Sequence, residues 1–367
     1  MQLGRQPLHT RSSVISGLGV TRCRACERSS DWRRGGAASP DPRALSSISH
    51  MTTYVARRVL IAIPILFGIT LLVFAFVALA PGDPVDAYLR PEMAGNQQLR
   101  QLMAHQLGLD QPLPIRYLAW LGQTLGGNLG YSAITGEPVN TVVWKGLLAS
   151  GSLMLTALLL GVVLGIPLGV ISALRQYSWL DFQLTGIAFL GISTPSFLAG
   201  IGGLYVFGLL LGIFPIGGMQ TAAKPFTIPD FLAHLALPAM ILGFGYVAIF
   251  MRYTRAAMLE VIHSQYISFA ESKGLPNRIV VVRHALRNAL IPIMSVLGVY
   301  LPDMVGAAAI TETVFTWPGL GLRVVEAANG RDFPVIMGIA LIFAIVVLWA
   351  NLLTDIAYAV ADPRIRY

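Results

Sequence analysis

Long runs without charged residues limit this chain to very few folds. Five runs contain no Asp, Glu, Lys or Arg, and a sixth contains only Asp303. Each run is near or above the ~20 residues that a helix needs to cross a lipid bilayer. Because lipid offers no hydrogen-bond partners to the backbone, we predict that each run is a helix. The six runs are Val59–Ala80, Leu148–Leu174, Phe182–Gly212, Leu235–Met251, Ala289–Thr311 and Phe333–Thr354.

The charge content agrees with an all-α membrane protein that has six transmembrane helices. Only 12% of the residues are charged, compared with about 25% in soluble domains. With Arg57 and Arg58 placed in the cytoplasm, six crossings put most of the basic residues after position 50 in the inside segments. The positive-inside rule then predicts that both termini are cytoplasmic. Because topology accounts for the net charge of +8, a nucleic-acid partner is not indicated.

Residues 1–50 differ from the rest of the chain. They are basic, rich in Ser and Gly, and have no apolar run of signal-peptide length. Cys23 and Cys26 form a lone C-x-x-C, and a metal or redox role would need further ligands or a folded surround. We predict a disordered basic tail, and Met51, which opens "MTTYVARR", is an alternative start that would leave the tail outside the natural protein.

Residues 51–147 are predicted to form the first transmembrane helix and an extracytoplasmic cap. Pro81 and the following Gly and Pro residues end the first helix. The segment that follows is too long for a simple connector, and it includes a predicted helix from Gln97 to Leu107 that ends at Gly108. The cap is either a docking surface or a passive lid on the bundle.

Residues 148–367 are predicted to form the core of the bundle, which contains two marked features. Gly161, Gly165 and Gly169 repeat at four-residue spacing, a pattern that lets a second helix approach closely. Thr194-Pro195 breaks the third run in its middle, and proline leaves a backbone carbonyl without its helical partner. This break either lines a transport pathway or is a kink that serves packing.

Two carboxylates lie in or near the fifth run. Asp303 follows Pro302 within the run, and an intramembrane carboxylate is by default a candidate functional residue. It could face a water-filled route for cationic or zwitterionic solutes, or pair with a neighbour near the outer end of the bundle. Glu312 lies at the outer edge, where a charged residue is less surprising.

The segment 252–288 is the largest predicted cytoplasmic insert. A helix is expected over Ser264–Lys273, Gly274 suits its C-terminal cap, and Pro276 suits the start of a second helix. The apolar face predicted for this second helix consists of Ile279, Val282, Leu286 and Ala289. From the residues alone, the segment is either a protruding helix-turn-helix for an acidic partner or lipid head groups, or an interfacial anchor.

Several enzyme signatures are absent from the sequence. It contains no G-x-x-x-x-G-K-[ST], no H-E-x-x-H and no G-x-S-x-G, and no histidine lies within the six runs. We therefore expect no catalytic residues, no metal and no cofactor bound by this chain itself.

The segment "YISFAESKGLPNRIVVVRHALRNALIP" resembles the cytoplasmic loop of permease subunits of dipeptide and oligopeptide ABC importers. The resemblance extends to "ARRVLIAIPILFGITLLVF", "APGDPV", "LGLDQPLPIRYLAWL", "GNLGYS", "TETVFTWPGLG" and "DPRIRY", and it covers essentially Met51–Tyr367. These subunits belong to the binding-protein-dependent transport system inner membrane component family. The resemblance implies the type I ABC importer permease fold.

The match departs from the general pattern of this family at one point. That pattern reads Glu-Ala-Ala, three residues, then Gly. Anchored on Gly274, its opening triplet falls on Ser268-Phe269-Ala270. Glu271 is displaced by three positions and does not inherit the role of the motif glutamate.

The resemblance implies an ATP-driven importer of short peptides in the cytoplasmic (inner) membrane. Its partners would be a second homologous permease, two ATP-binding subunits that use ATP and Mg, and an extracytoplasmic solute-binding protein. Residues of 252–288 would form the coupling helix that contacts an ATPase, and Thr194, Pro195 and Asp303 are candidates for the pathway. The implied coupling residues are Tyr266, Ala270, Glu271, Lys273, Gly274, Leu275 and Arg278.

Other functions remain open at this point. The same family also handles nickel and glutathione, so a permease for either solute is the first alternative. An ion-coupled secondary transporter acting alone, or a scaffold that does not transport, would belong to a different class.

Overall fold

The computed structural model describes the backbone of residues 42–80, 85, 88–89 and 96–361, and within it the side chains of 55–80, 85, 88–89, 96–300, 302, 306 and 308–356. The chain divides by internal contacts into residues 1–51 and residues 52–367. In the first unit, the backbone of residues 42–51 is helical. Cys23 and Cys26 lie outside the described residues.

Regular structure in the described part of the chain is helical. Two segments, Leu204–Leu210 and Val280–Leu286, are π-helical. The α-helices are α1 (Pro42–Leu79), α2 (Gln97–Gln106), α3 (Leu113–Leu125), α4 (Val139–Leu174), α5 (Trp179–Ser193), α6 (Ser196–Gly203), α7 (Ile228–Ile262), α8 (Gln265–Ser272), α9 (Asn277–Ile279), α10 (Arg287–Val314), α11 (Leu320–Asn329) and α12 (Phe333–Ala361).

Only the longer of these helices, alone or joined to an adjacent segment, can cross a membrane. Five spans in the described residues are long and apolar enough to cross a bilayer, and α5 joined to Ser196–Leu210 makes a sixth that is bent by 103°. The six-span prediction is confirmed. The helix that contains the fourth run is longer than the run itself, because α7 continues past Met251 to Ile262. Residues 252–262 are therefore helix and not part of a loop.

The core of the bundle lies where α4, α7 and α10 meet. Gly161, Gly165 and Gly169 of α4 are buried against α7, as their four-residue spacing predicted. Small residues on one helix let the second backbone come close, which increases dispersion contacts along the interface. The largest cluster of buried side chains consists of Ala149, Leu153, Ala157, Leu235, Ala239, Leu242, Tyr246, Phe250, Ile293, Val296, Ala308 and Trp317.

The predicted cap contains two helices, α2 and α3. The predicted helix Gln97–Leu107 is α2, and Gly108 after it adopts φ +68°. In α3, Tyr117 is buried with its ring edge against Phe74, and its hydroxyl lies 2.9 Å from Thr70 Oγ1 of α1. The cap is thus packed onto the first span by aromatic contacts of Tyr117 with Phe67 and Phe74 and by one buried hydrogen bond.

Candidate functional site

The helix α8 lies directly after α7 and forms the first part of the candidate coupling segment. Its bounds, Gln265–Ser272, agree with the helix predicted over 264–273. Ser264 has an extended backbone, which turns the chain between the two helices, and its hydroxyl donates to the Val261 carbonyl at 2.6 Å. The hydroxyl thus bonds to the end of α7, and α8 begins at the next residue.

A left-handed glycine ends α8, as the sequence predicted. Gly274 has φ +74°, and its N–H donates to the Glu271 carbonyl at 2.8 Å. This φ disfavours residues with a Cβ and is closed to proline, whose ring holds φ near −65°. Pro276 then precedes α9 with an extended backbone. The turn direction of the segment therefore depends on Gly274.

One face of α8 is buried against the bundle. Ile267 and Ala270 are 2% and 6% exposed. They join a separate apolar cluster that also includes Ala173, Ala257, Met258, Val280, Ala285 and Ala289. Ala270 is therefore a packing residue within this chain, and the opposite face of α8 is the one available to another protein.

The other face of α8 and the turn after it are exposed. Tyr266 and Phe269 are 45% and 62% exposed, and the Lys273 ammonium lies 4.6 Å from the centre of the Phe269 ring. Exposed aromatic side chains beside charges are typical of protein interfaces. We call this surface the docking face, and it consists of Tyr266, Phe269, Glu271, Lys273, Gly274, Leu275 and Arg278.

The helix after the turn differs from the prediction. Val280–Leu286 is π-helical, which shifts the direction of the side chains relative to an α-helix. Ile279 and Val282, predicted to lie on an apolar face, are 41% and 56% exposed, whereas Val280 is 2% exposed. Of the predicted apolar face, Leu286 and Ala289 pack in the apolar cluster of Ala270, whereas Ile279 and Val282 lie outside it.

The break in the third span borders a cavity. Thr194 and Pro195 separate α5 from α6, and the Thr194 hydroxyl donates to the Leu190 carbonyl at 2.7 Å. A cavity of about 360 Å³ lies beside the break, among α5, α6, α7 and Tyr300 of α10. The backbone bend therefore borders a partly open space between α5, α6 and α7, and its role in a transport route stays a prediction.

Asp303 lies in α10, which continues through Pro292 and Pro302. Its side chain is outside the described residues, so its role in a pathway stays a prediction.

The carboxylate of Glu312 is buried, which the sequence analysis did not predict. Glu312 is 0% exposed, accepts a hydrogen bond from Ser150 Oγ of α4 at 2.5 Å, and accepts one from the Gly321 N–H at 2.7 Å. A Cβ at Gly319 would lie 2.3 Å from the Glu312 carboxyl carbon. Glu312 thus binds the first turn of α11 and links it to α4. The motif "TETVFTWPGLG" supplies the acid and both glycines.

A second buried carboxylate belongs to Asp181 at the start of α5, with 3% exposure. Arg255 of α7 binds it with two N–H groups, Nε to Oδ1 and Nη2 to Oδ2, each at 2.8 Å. The Ser172 hydroxyl at the end of α4 and the Tyr177 N–H also donate to it. The sequence analysis did not single out either residue and did not identify this pair.

The described residues include no group of three or more His, Cys, Asp or Glu side chains that could hold a metal ion. The candidate functional features of the described residues are the docking face, the break at 194–195 with the cavity beside it, and the buried carboxylates that connect helices. Together, the fold and these features define the class of a polytopic helical membrane protein.

Comparison with known families places the chain within that class. Residues 165–367 match the binding-protein-dependent transport system inner membrane component, and residues 51–142 match the N-terminal part of such components. The chain belongs to the binding-protein-dependent transport system inner membrane component family. This family works with ATPase and solute-binding components, and its members are multi-pass membrane proteins.

Full-length relatives carry names that refer to peptides. A protein of Brucella suis biovar 1 named as a peptide permease is 46% identical over 321 residues, covering 86% of this chain and 99% of the relative. The oligopeptide transport system permease protein AppB of Bacillus subtilis is 40% identical, covering 86% of this chain and 100% of AppB. The dipeptide transport system permease protein DppB of Escherichia coli K12 is 35% identical, covering 86% and 99%.

The fold has a counterpart among solved structures. A chain of the MetNI methionine ABC transporter in an inward-facing conformation superposes with a TM-score of 0.51 at 18% identity. The match covers 60% of this chain and 96% of the MetNI chain. At this identity the likeness shows the ABC importer permease fold alone, as the sequence analysis expected.

Proposed function

We propose that this chain is the permease subunit of an ATP-driven importer that moves short peptides across the cytoplasmic membrane. The observation that carries the proposal is the identity of 35–46% with the three peptide permeases over 99–100% of their length. The partly open cavity beside Thr194 supports the proposal, because a transport route needs space next to the broken span.

The docking face would contact one ATP-binding subunit. Phe269 and Tyr266 offer exposed apolar area, and Glu271, Lys273 and Arg278 offer charges at its rim. Interfaces commonly combine a buried aromatic centre with a charged, wetter rim. Because ATP is in the cytoplasm, α8 would lie on the cytoplasmic side, and six spans would then place both termini there as well.

The complete transporter would contain a second homologous permease, two ATP-binding subunits that use ATP and Mg, and an extracytoplasmic solute-binding protein. The cap would lie on the side where that protein delivers peptide. Thr194, Pro195 and Asp303 would line the route, with the Asp303 carboxylate favouring peptides that carry a positive charge.

Replacing Gly274 in the reconstituted transporter tests the proposal. Gly274→Pro is expected to abolish peptide-stimulated ATP hydrolysis and uptake, because proline cannot adopt φ +74° and lacks the N–H that bonds to Glu271. Gly274→Asn is the matched control, since Asn tolerates the left-handed region better than other residues with a side chain. It should retain most of both activities.

Three results would contradict the proposal. Normal coupled transport by Gly274→Pro would show that the turn does not serve coupling. Uptake that survives loss of the ATP-binding subunits would instead identify a secondary transporter. Uptake of nickel or glutathione, with no competition by di- to pentapeptides, would assign the first alternative in place of a peptide importer.

A further inference from the structure

The helices α5 and α7 pack against each other along one regular seam. Gly191 of α5 lies against Phe244 and Ala248, since an added Cβ would lie 3.0 Å from the Phe244 ring and 3.1 Å from the Ala248 Cβ. Ala188 is buried together with Ala248 and Met251. The seam is apolar over most of its length.

The seam ends at the Asp181–Arg255 pair. On α5 the contact positions are 181, 184, 188 and 191, and on α7 they are 255, 251, 248 and 244. Intervals of three and four residues place each set on one face of its helix. The two helices therefore pack side by side, and the Asp181–Arg255 ion pair lies at the end of the seam that is nearer to α8.

The carboxylate of Asp181 accepts hydrogen bonds from three segments outside α5 and a longer one, at 3.4 Å, from the Thr185 hydroxyl within α5. Arg255 donates twice from α7, Ser172 donates from α4, and the Tyr177 N–H donates from the turn before α5. Tyr177 has φ +62°, a conformation that a residue with a side chain adopts only when its surroundings hold it there. The carboxylate thus fixes the start of α5 to α7 in one geometry.

The unit formed by α5 and α7 connects the two regions to which the proposed function assigns a role, the docking face and the break at Thr194-Pro195. From Arg255, α7 runs without a break to Ile262 and is followed at once by α8 and its docking face. From Gly191, α5 runs to the break at Thr194 and the cavity beside it. If α5 and α7 move as one rigid unit, a displacement of α8 also displaces the break at Thr194-Pro195. If α5 is not held to α7, α8 can move without displacing the break.

We propose that Asp181 and Arg255 are positioning residues that lock α5 to α7, so that movement of α8 is transmitted to the Thr194–Pro195 break. The inference rests on the proposed function. A bidentate guanidinium–carboxylate pair suits this role because it fixes orientation as well as distance. An apolar contact at the same place would allow α5 to slide or rotate along the seam.

The test measures peptide uptake and ATP hydrolysis together in proteoliposomes that contain the whole transporter. Arg255→Gln is expected to lower the number of peptides taken up per ATP hydrolysed by about tenfold, within the usual range of coupling between sites. Arg255→Lys, which retains the charge but loses the two-pronged contact, should lower this ratio less. Asp181→Asn with Arg255→Gln should be no worse than either single variant.

Arg252→Gln is the matched control, because Arg252 is exposed one turn earlier on the same helix and loses the same charge. It should leave the ratio within about twofold of the wild type, as expected for an exposed charge. A purely structural role for the pair would lower the amount of assembled complex without changing the ratio.

The outcomes separate the two proposals. If the wild-type complex takes up no peptide, the proposed function is wrong and the lock falls with it. If the wild type is active and Arg255→Gln has the wild-type ratio, the lock alone is wrong. If Arg255→Gln does not assemble, Arg255→Lys decides, and a wild-type ratio in that variant contradicts the lock.

Discussion

Replacing Gly169 with alanine tests whether the backbones of α4 and α7 are in contact. A Cβ at this position would lie 2.6 Å from the Met251 carbonyl oxygen and 2.6 Å from the Thr254 Cβ. The first neighbour is backbone and the second is a stiff β-branched side chain. Neither can move aside without a shift of the whole helix.

The expected cost follows from two opposed terms. Alanine is better than glycine within a helix by about 1 kcal/mol, while forcing an extra methyl into a packed interface costs about 1–3 kcal/mol. Because the clash is with backbone, we expect the upper part of that range and a net loss of about 2 kcal/mol. Gly165→Ala should behave alike, since its Cβ would lie 2.8 Å from the Val247 carbonyl oxygen.

Gly151→Ala is the control on the same helix, because no atom lies within 4 Å of the added Cβ. It gains helix propensity without a clash, so its stability should rise by up to about 1 kcal/mol. The measurement is the thermal unfolding midpoint of the purified full-length chain in detergent. A midpoint for Gly169→Ala equal to or above that of Gly151→Ala would refute the close approach of the two helices.

Three further substitutions test the buried polar contacts with the same assay. Glu312→Ala should lower the unfolding free energy by about 3 kcal/mol, because it leaves the buried Ser150 hydroxyl and two N–H groups without their acceptor. A loss below about 1 kcal/mol would contradict the buried network. Asp332→Asn should lower the unfolding free energy by about 1–2 kcal/mol, since the Asp332 carboxylate accepts a hydrogen bond from the Ser132 hydroxyl at 2.5 Å and is 2% exposed. An unchanged midpoint would show that this contact does not hold the cap to the start of α12. Tyr117→Phe removes one neutral hydrogen bond and should cost about 1 kcal/mol, with the aromatic contacts retained; a loss as large as that of Glu312→Ala would contradict this account.

Much of the architecture is readable from the residues because it depends on local rules. Helices predicted over 97–107 and 264–273 correspond to α2 and α8. Gly108 and Gly274 both have positive φ, as their places after predicted helices indicated. Backbone sterics act within a few residues, so no knowledge of distant contacts is needed for such predictions.

The π-helical segment 280–286 is different, because sequence periodicity assumes the 3.6 residues per turn of an α-helix. Wider winding buries Val280 and Ala285 in the same cluster as Ile267. An α-helical reading of the same letters places Ile279 and Val282 inward, and both are exposed. The π-helical winding and the burial of Val280 and Ala285 occur together, and hydrophobic periodicity alone predicts neither.

By itself, the sequence determined the class of protein, the six spans, the break at Thr194-Pro195 and the glycine face of α4. These follow from the lack of hydrogen-bond partners in lipid and from the geometry of proline and glycine. Only the tertiary structure decided which polar and charged side chains are hydrogen-bond partners. Asp181 and Arg255 are 74 residues apart in the sequence, and Ser150 and Glu312 are 162 apart. A buried carboxylate requires donors, but any of many Arg, Ser and N–H groups could supply them until the fold brings particular ones within 3 Å.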